Sequence, residues 1–305
     1  MKVTLGPIPF LWEKERILSF YKEISETSVS TVYLGEVICS KRSVLGIDTI
    51  EAIAHMLSDA GKEVVVSTLG LITHRDELNF IESLCRLPLN IEVNNIGALN
   101  LCPDKSRVIG GPHLAIYNAP TAKFLTGLGI RRIVFMPELS QQAIESLSLS
   151  VPSVEKEIIA FGNLPLAFSW RCYTARALNL SRTNCAIVCK KYPSGMPLET
   201  MEGMALFNIN GTQLMSEQKV CMIEQIDILR TLGIGHLRII PQEHHTSDIA
   251  EIFSKTIAGV LDRPAALEAL KRFAPAGVSN GWFYGRAGWE YVDKASAKIS
   301  AAPAS

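Results

Sequence analysis

Neither sign of charge predominates in this 305-residue sequence, in which Lys plus Arg number 30 and Asp plus Glu number 30. A balanced chain has no global field to draw in nucleic acid, an acidic membrane surface or a polyanion, so recognition of charge must be local. Long apolar runs are missing as well. No stretch reaches the roughly 18 to 20 apolar residues of a membrane helix, and the start, Met1 to Pro7, lacks the apolar segment and small-residue cleavage site of a signal peptide. These absences predict a soluble, cytoplasmic protein with no transmembrane segment. Aromatic residues make up only 7% of the chain. Internal repeats are lacking, and the small-residue end, Ala295 to Ser305, is expected to fray.

What is present is a rhythm of short β-rich runs and longer helical patterns. Strands are expected at Lys2 to Leu5, Thr31 to Ile38, Glu63 to Ser67, Asn90 to Asn94, Arg107 to Ile109, Arg132 to Met136, Glu157 to Ala160 and Leu237 to Ile240. Between them, segments such as Ile47 to Ala60 and Ser247 to Leu261 repeat apolar residues at helical spacing, the mark of amphipathic helices. Thr73 reads as an N-cap, and Gly61, Gly127 and Gly129 as helix stops. Eight strands alternating with helices predict parallel pairing with right-handed crossovers, an α/β fold of the (β/α)8 TIM-barrel type. The last two strands are much farther apart than the others. An insertion over 161–216 is therefore expected within a barrel occupying 1–263. It contains a hairpin, Met204 to Ile209 and Thr212 to Met215, turning at Asn210-Gly211. Residues 264–305 read as an irregular tail packing on the barrel.

The seven cysteines are odd in number and unevenly spaced, which argues against a disulfide framework in a reducing compartment. Cys39 follows the second strand, and Cys172, Cys185 and Cys189 follow the seventh. Residues that follow the strands of a parallel barrel emerge on one rim, the rim that hosts chemistry. All four thiols are thus expected on that rim, Cys185 and Cys189 sharing one face of a helical turn. Cys85, Cys102 and Cys221, the last at the start of a helix, read as small core residues. Four thiolates suit either an iron–sulfur cluster or zinc. One tight pair plus two lone ligands is unusual for structural zinc. The flanking cations Lys41, Arg42, Arg171, Arg176, Arg182, Lys190 and Lys191 would favour an anionic [4Fe–4S] cluster, although solvated loop residues of this kind are also ordinary.

The stretches 157–172 and 184–192 resemble the signature of the collagenase-like peptidase U32 family, and 118–140 and 94–101 are similar to its middle motifs. Within that family, 33–42 and 67–71 look most like a subunit of O2-independent ubiquinone biosynthesis. The resemblance implies a [4Fe–4S] cluster on Cys39, Cys172, Cys185 and Cys189. It also implies a heterodimer with a UbiU-type paralogue, a lipid-binding accessory protein, and two small molecules, a prenylated quinone precursor and prephenate as hydroxyl source. Many relatives carry His-Gly where this chain reads Phe161-Gly162, so a base or peptidase role for that histidine does not transfer. No Ser-His-Asp set has an interpretable spacing. A zinc-stapled scaffold and a metal-independent peptidase remain the competing functions.

Glu36, near Cys39, is the candidate catalytic carboxylate for orienting substrate or moving a proton; a pairing with Arg42 or Arg171 is the plainer alternative. His74, His113, His244 and His245 follow strand-like runs and are candidates to face the mouth, with capping or surface duty as their ordinary role. Asn94, Asn118 and Glu138 are placed to hydrogen-bond substrate or to brace the mouth. Trp282, Phe283, Tyr284, Trp289 and Tyr291 form an aromatic group for packing the tail or docking a partner.

Overall fold

The computed structural model describes residues 1–293; the expected fraying of Ala295 to Ser305 lies outside the described residues. The chain opens with β1 (Lys2–Leu5), α1 (Lys14–Ser25), β2 (Thr31–Leu34), α2 (Ile47–Asp59), β3 (Glu63–Ser67) and α3 (Arg75–Arg86). It continues through β4 (Asn90–Val93), α4 (Ile96–Leu101), β5 (Val108–Gly110), α5 (Ala119–Gly127), β6 (Arg132–Val134), α6 (Gln141–Ser150) and β7 (Glu155–Phe168). After β7 come α7 (Tyr173–Ala177), β8 (Met196–Glu199), β9 (Ala205–Asn210) and β10 (Gln213–Cys221). The remainder comprises α8 (Ile226–Thr231), β11 (His236–Ile239), α9 (Thr246–Ile257), α10 (Arg263–Lys271) and β12 (Val278–Ser279).

Strands β1 to β7 pair in parallel and in sequence order, and β11 closes the ring by pairing with both β7 and β1. This is the expected closed barrel of eight strands with helices between them. The apolar faces of the helices, such as Ile50, Ile53 and Leu57 of α2 and Ile249 and Phe253 of α9, are buried against the outside of the sheet. Most of the apolar core therefore lies between sheet and helices. Among the described residues no helix is long and apolar enough to cross a membrane.

The barrel interior is different in kind. A small apolar layer of Tyr33, Val65, Ile109 and Val134 meets a buried ionic network. Arg238 donates to Glu157 at 2.8 Å and to Glu92 at 2.7 Å, and its guanidinium lies 3.9 Å from the centroid of the Tyr33 ring. Glu157 also accepts from Tyr33 and from Thr4, both at 2.6 Å. Arg132 donates to the Tyr33 hydroxyl at 3.2 Å and to Glu63 at 2.9 Å. Burial alone would raise the pKa of Glu157, but Arg238 and then Arg132 hold it down to about 2.

The expected strands fall where the chain has them, with shifted ends. β2 stops at Leu34, short of the expected Ile38, because Gly35 turns the chain with φ +107°; a Cβ there would come within 2.7 Å of the Ser67 carbonyl oxygen. β6 stops at Val134 rather than Met136, and β5 starts at Val108. The largest difference is β7, which runs on to Phe168 instead of ending at Ala160. Phe161 pairs with Ile239 inside the barrel, and beyond it the strand leaves the ring to pair antiparallel with β10. Gly162, at φ +125°, allows that departure, since a Cβ would lie 2.6 Å from Ile240 Cβ. The hairpin is present as β9 and β10. Cys221 ends β10 rather than opening a helix. The residue that caps α3 is His74, not Thr73; Glu77 reaches back to the backbone N–H groups of both. The tail expected to be irregular starts with the helix α10 and pairs β12 onto β10.

Cys85 and Cys102 are a further correction. Both are buried in the apolar core, as expected of small core residues, but they are also joined in a disulfide across a Cα–Cα distance of 5.2 Å, against the reading that the cysteines form none. Cys85 lies in the last turn of α3 and Cys102 follows α4, and it is the packing of neighbouring βα units that brings them together. Spacing in the chain carries no sign of it.

Arg238→Met should lower unfolding stability by about 3–5 kcal/mol, because two buried carboxylates lose their shared partner; urea denaturation measures this. The folded-state pKa of Glu157, about 2, lies below its ordinary 4.5, so its stabilisation is complete above pH 4.5 and is lost as pH falls toward 2. Urea midpoints across that window should fall steeply for the native chain and less steeply for Glu157→Gln.

Candidate metal centre

The hairpin tip ties the two cysteine-bearing segments together. Thr212 Oγ1 donates to the carbonyl of Ile38 at 2.9 Å. The Arg42 side chain, 3% exposed, donates to Asn210 Oδ1 at 2.9 Å and to the Pro9 carbonyl at 3.0 Å. On the other side, the Gly211 N–H donates to Thr174 Oγ1 at 3.0 Å. The loop after β2 and the helix after β7 are thereby fastened to one turn, Asn210 to Gln213. A second clasp joins the loops directly, as Lys41 Nζ donates to the Arg182 carbonyl at 2.8 Å.

This stitching places Cys39, Cys172, Cys185 and Cys189 on one cleft, with Lys41, Arg42 and Arg182 in the same wall. All four thiols are free and half-buried. Cys172 caps α7, its sulfur accepting from the Ala175 N–H at 3.5 Å. The expected helical turn between Cys185 and Cys189 is absent. Instead Ala186 and Ile187 take positive φ, 46° and 52°, a conformation that is uncommon outside glycine and costly for β-branched Ile. The chain doubles back there so that both sulfurs face the cleft wall without sharing a helix face. Burial pushes the Cys39 thiol up, opposed by the N–H of Lys41 and the charges of Arg182 and Arg42. Cys189 is raised first by burial and further by the other three thiols, against Arg42.

The donor set fits a four-thiolate group in number and kind. The fit is open rather than closed, since no group of three or more His, Cys, Asp or Glu side chains among the described residues stands at chelating distance. Of the other expected cations, Lys190 pairs with Glu13 at 2.8 Å, and Arg171, Arg176 and Lys191 are exposed outside the cleft wall.

Glu36 does not hang free at the rim. Its Oε1 accepts from the backbone N–H of Ile38 at 2.7 Å and of Cys39 at 3.0 Å, so it shapes the Cys39 loop. Glu77, missed in the sequence, does similar work from α3 by accepting from Ser40 Oγ at 2.6 Å. Its capping position was a readable signal. Asn118 caps α5, and His245 pairs with Asp248 on the surface at 2.9 Å, away from the cleft. His244 is exposed too. His113 packs edge-on against Phe168 at 4.6 Å, and burial lowers its pKa to about 3. Asn94 is buried beside Glu92 at 3.1 Å. Glu138 accepts from the Tyr117 hydroxyl at 3.1 Å. Phe161, where many relatives have His, is fully buried against Phe253, so no base stands there. Of the tail aromatics, Phe283 is buried and Trp282, Tyr284 and Tyr291 pack on the core, while Trp289 is 55% exposed. Cys221 is a buried thiol pushed up to about 12 by its burial.

The barrel mouth itself is covered, since Gln213 and Met215 of the hairpin share a small cavity with Arg238, Glu92 and His113 at the strand ends. Fold and site thus define a (β/α)8 barrel whose mouth is capped by an inserted hairpin that also gathers four free thiols. The model of Peptidase family U32 matches residues 18–293, and the chain belongs to that family. Over 76 residues it is 34% identical to the tRNA hydroxylation protein P of Escherichia coli (strain K12), a match spanning 24% of this chain and only 17% of that protein. Among solved structures it is similar to a GH10 endoxylanase retrieved from a sugarcane soil metagenome, at 9% identity and a TM-score of 0.41 over 79% of this chain and 86% of that one. It is also similar to a phospho-2-dehydro-3-deoxyheptonate aldolase from Thermotoga maritima, at 10% identity and a TM-score of 0.36 over 91% of this chain and 71% of that one. Likenesses at that level carry no argument about activity.

Arg42→Met should loosen the clasp and speed tryptic cleavage at the exposed Arg176, Lys190 and Lys191 at least about tenfold. Losing charge-assisted hydrogen bonds of ~1.5–3 kcal/mol raises local opening by that order. A time course of limited proteolysis measures it.

Proposed function

We propose that this chain is a UbiV-type iron–sulfur subunit that acts with a UbiU-type paralogue in O2-independent hydroxylation of the ubiquinone precursor ring. The observation that carries this reading is the gathering of Cys39, Cys172, Cys185 and Cys189, from segments far apart in the chain, onto one cleft walled by Lys41, Arg42 and Arg182. A [4Fe–4S] cluster held there would supply one-electron chemistry. The chain's own residues supply the rest: the four thiols hold the group, the three cations offset its negative charge, and Glu36 and Glu77 keep the Cys39 loop in place. Similarity to a protein named for tRNA hydroxylation supports a hydroxylation chemistry, and the balanced charge of this chain favours a substrate other than RNA. A peptidase role is weakened by the buried Phe161.

Protein purified without O2 should contain iron and sulfide. Cys39→Ala, Cys172→Ala, Cys185→Ala and Cys189→Ala should each lose most of the iron, whereas Cys221→Ala keeps it. With a UbiU-type partner, the preparation should hydroxylate a quinone precursor in the absence of O2, with prephenate as the hydroxyl source. Stoichiometric zinc in place of iron would instead make the site a structural staple for a binding scaffold.

A further inference from the structure

Charge is balanced over the whole chain but not along it. Between Glu157 and Glu199 there is no acidic residue, while Arg171, Arg176, Arg182, Lys190 and Lys191 all fall in that interval. The same interval holds Cys172, Cys185 and Cys189 and folds as one lobe lining the thiol cleft, with α7 packed on the turn 188–191. Small ligands have a separate place on this rim. Arg42 lines both the thiol cleft and a neighbouring cavity of about 540 Å3, the latter with Trp12, Tyr21 and Phe80, a size suited to a small molecule and not to a protein. A protein partner meets the outer lobe instead.

The cations of the lobe are not equally engaged. Arg182 lies in the cleft wall, 4.0 Å from Glu77, and Lys190 pairs with Glu13 at 2.8 Å. Arg171, Arg176 and Lys191 are exposed outside the cleft wall, and among the described residues none of the three has a carboxylate partner. Large apolar side chains are exposed in the same lobe: Trp170 at 57%, with the Arg182 guanidinium 5.5 Å from its ring centroid, and Ile187 at the edge of the cleft. Unpaired cations around an exposed Trp and Ile have the make-up of a protein interface, where aromatic residues and Arg are enriched and complementary charge steers the encounter. Three such cations fall short of the roughly 6–10 phosphate contacts of a typical nucleic-acid binder. The one α-helix of the lobe, Tyr173–Ala177, is too short to lie on a membrane as an amphipathic helix.

We propose that this lobe docks a small acidic protein that carries one electron, and that Arg171, Arg176 and Lys191 with Trp170 and Ile187 form the contact surface. Electron-transfer encounters are weak and small, under about 1,200 Å2 in total, which suits a lobe of this size. The reduced carrier gives one electron to the group held on the four thiols, with no bond made or broken. The acidic character of the partner follows from the lobe; its being an electron carrier rests on the iron–sulfur function proposed above.

The test is calorimetric titration of the full chain, alone and bound to the UbiU-type paralogue, with a flavodoxin and separately with a plant-type [2Fe–2S] ferredoxin. Iron content is measured on the same samples. Saturable binding of at least one carrier is expected, weakening about tenfold or more between low salt and ~0.2 M salt. Reversing three charges together, Arg171→Glu, Arg176→Glu and Lys191→Glu, should weaken it at least about tenfold, and Trp170→Ala about tenfold. Lys123→Glu, exposed on α5, should leave it unchanged, with thermal melts reporting that every variant folds. No binding of either carrier, binding that the reversals leave unchanged, displacement by the paralogue, or tighter binding of tRNA or of phosphatidylglycerol vesicles through the same residues overturns the assignment. A carrier bound with these sensitivities by protein that never acquires iron upholds the docking surface and sinks the iron–sulfur reading. Iron-loaded protein that binds neither carrier does the reverse.

Discussion

Glu157 sits fully buried in the middle of the barrel and stays ionised because Arg238 and Arg132 face it. Most of the closed ring depends on that arrangement. Arg238 on β11 reaches Glu157 on β7 and Glu92 on β4, while Thr4 on β1 and Tyr33 on β2 complete the shell of Glu157. Arg132 on β6 extends the network to Glu63 on β3. Seven of the eight barrel strands, packed against helices on the outside, are thus cross-linked inside by ion pairs and hydrogen bonds. Desolvating so many ions is costly unless every partner is present, so the network tolerates only the strand order that assembles it.

The same economy of partners operates at the rim. One turn, Asn210 to Gln213, receives hydrogen bonds from or gives them to the Cys39 loop, Pro9 and Thr174. The hairpin therefore both covers the barrel mouth and draws two distant cysteine segments to one cleft. Arg42 is central because its buried guanidinium holds the hairpin while standing between the thiols and the large apolar cavity. The cavity lined by Trp12, Tyr21 and Phe80 lies beside the thiol cleft on the same rim.

Legibility in the sequence varied with how local the cause was. The eight barrel strands were readable because alternating β-rich and helical patterns are set by residues close in the chain. Asn210-Gly211 announced its hairpin for the same reason. Strand ends were less readable: β7 runs on to Phe168 because β10 offers it a new partner after Gly162, and no local pattern encodes that partner. The helical turn expected between Cys185 and Cys189 gave way to positive φ at Ala186 and Ile187, a conformation that neither residue prefers and that local propensity therefore does not announce. The Cys85–Cys102 disulfide and the hydrogen bond from Ser40 to Glu77 likewise depend on neighbours across units.

By itself the sequence determined the alternation of elements, the hairpin, and the placement of Cys39 and of Cys172, Cys185 and Cys189 after strands of one rim, since each follows from short-range propensity and the fixed polarity of parallel strands. Only the tertiary structure decided that Glu157 and Arg238 would pair in the barrel interior, that Glu36 would be used up in shaping a loop, and that the aromatic and aliphatic residues of three βα units would leave a cavity beside the thiols. Those outcomes depend on distances between side chains far apart in the chain, and burial sets their energies only after the ring has closed.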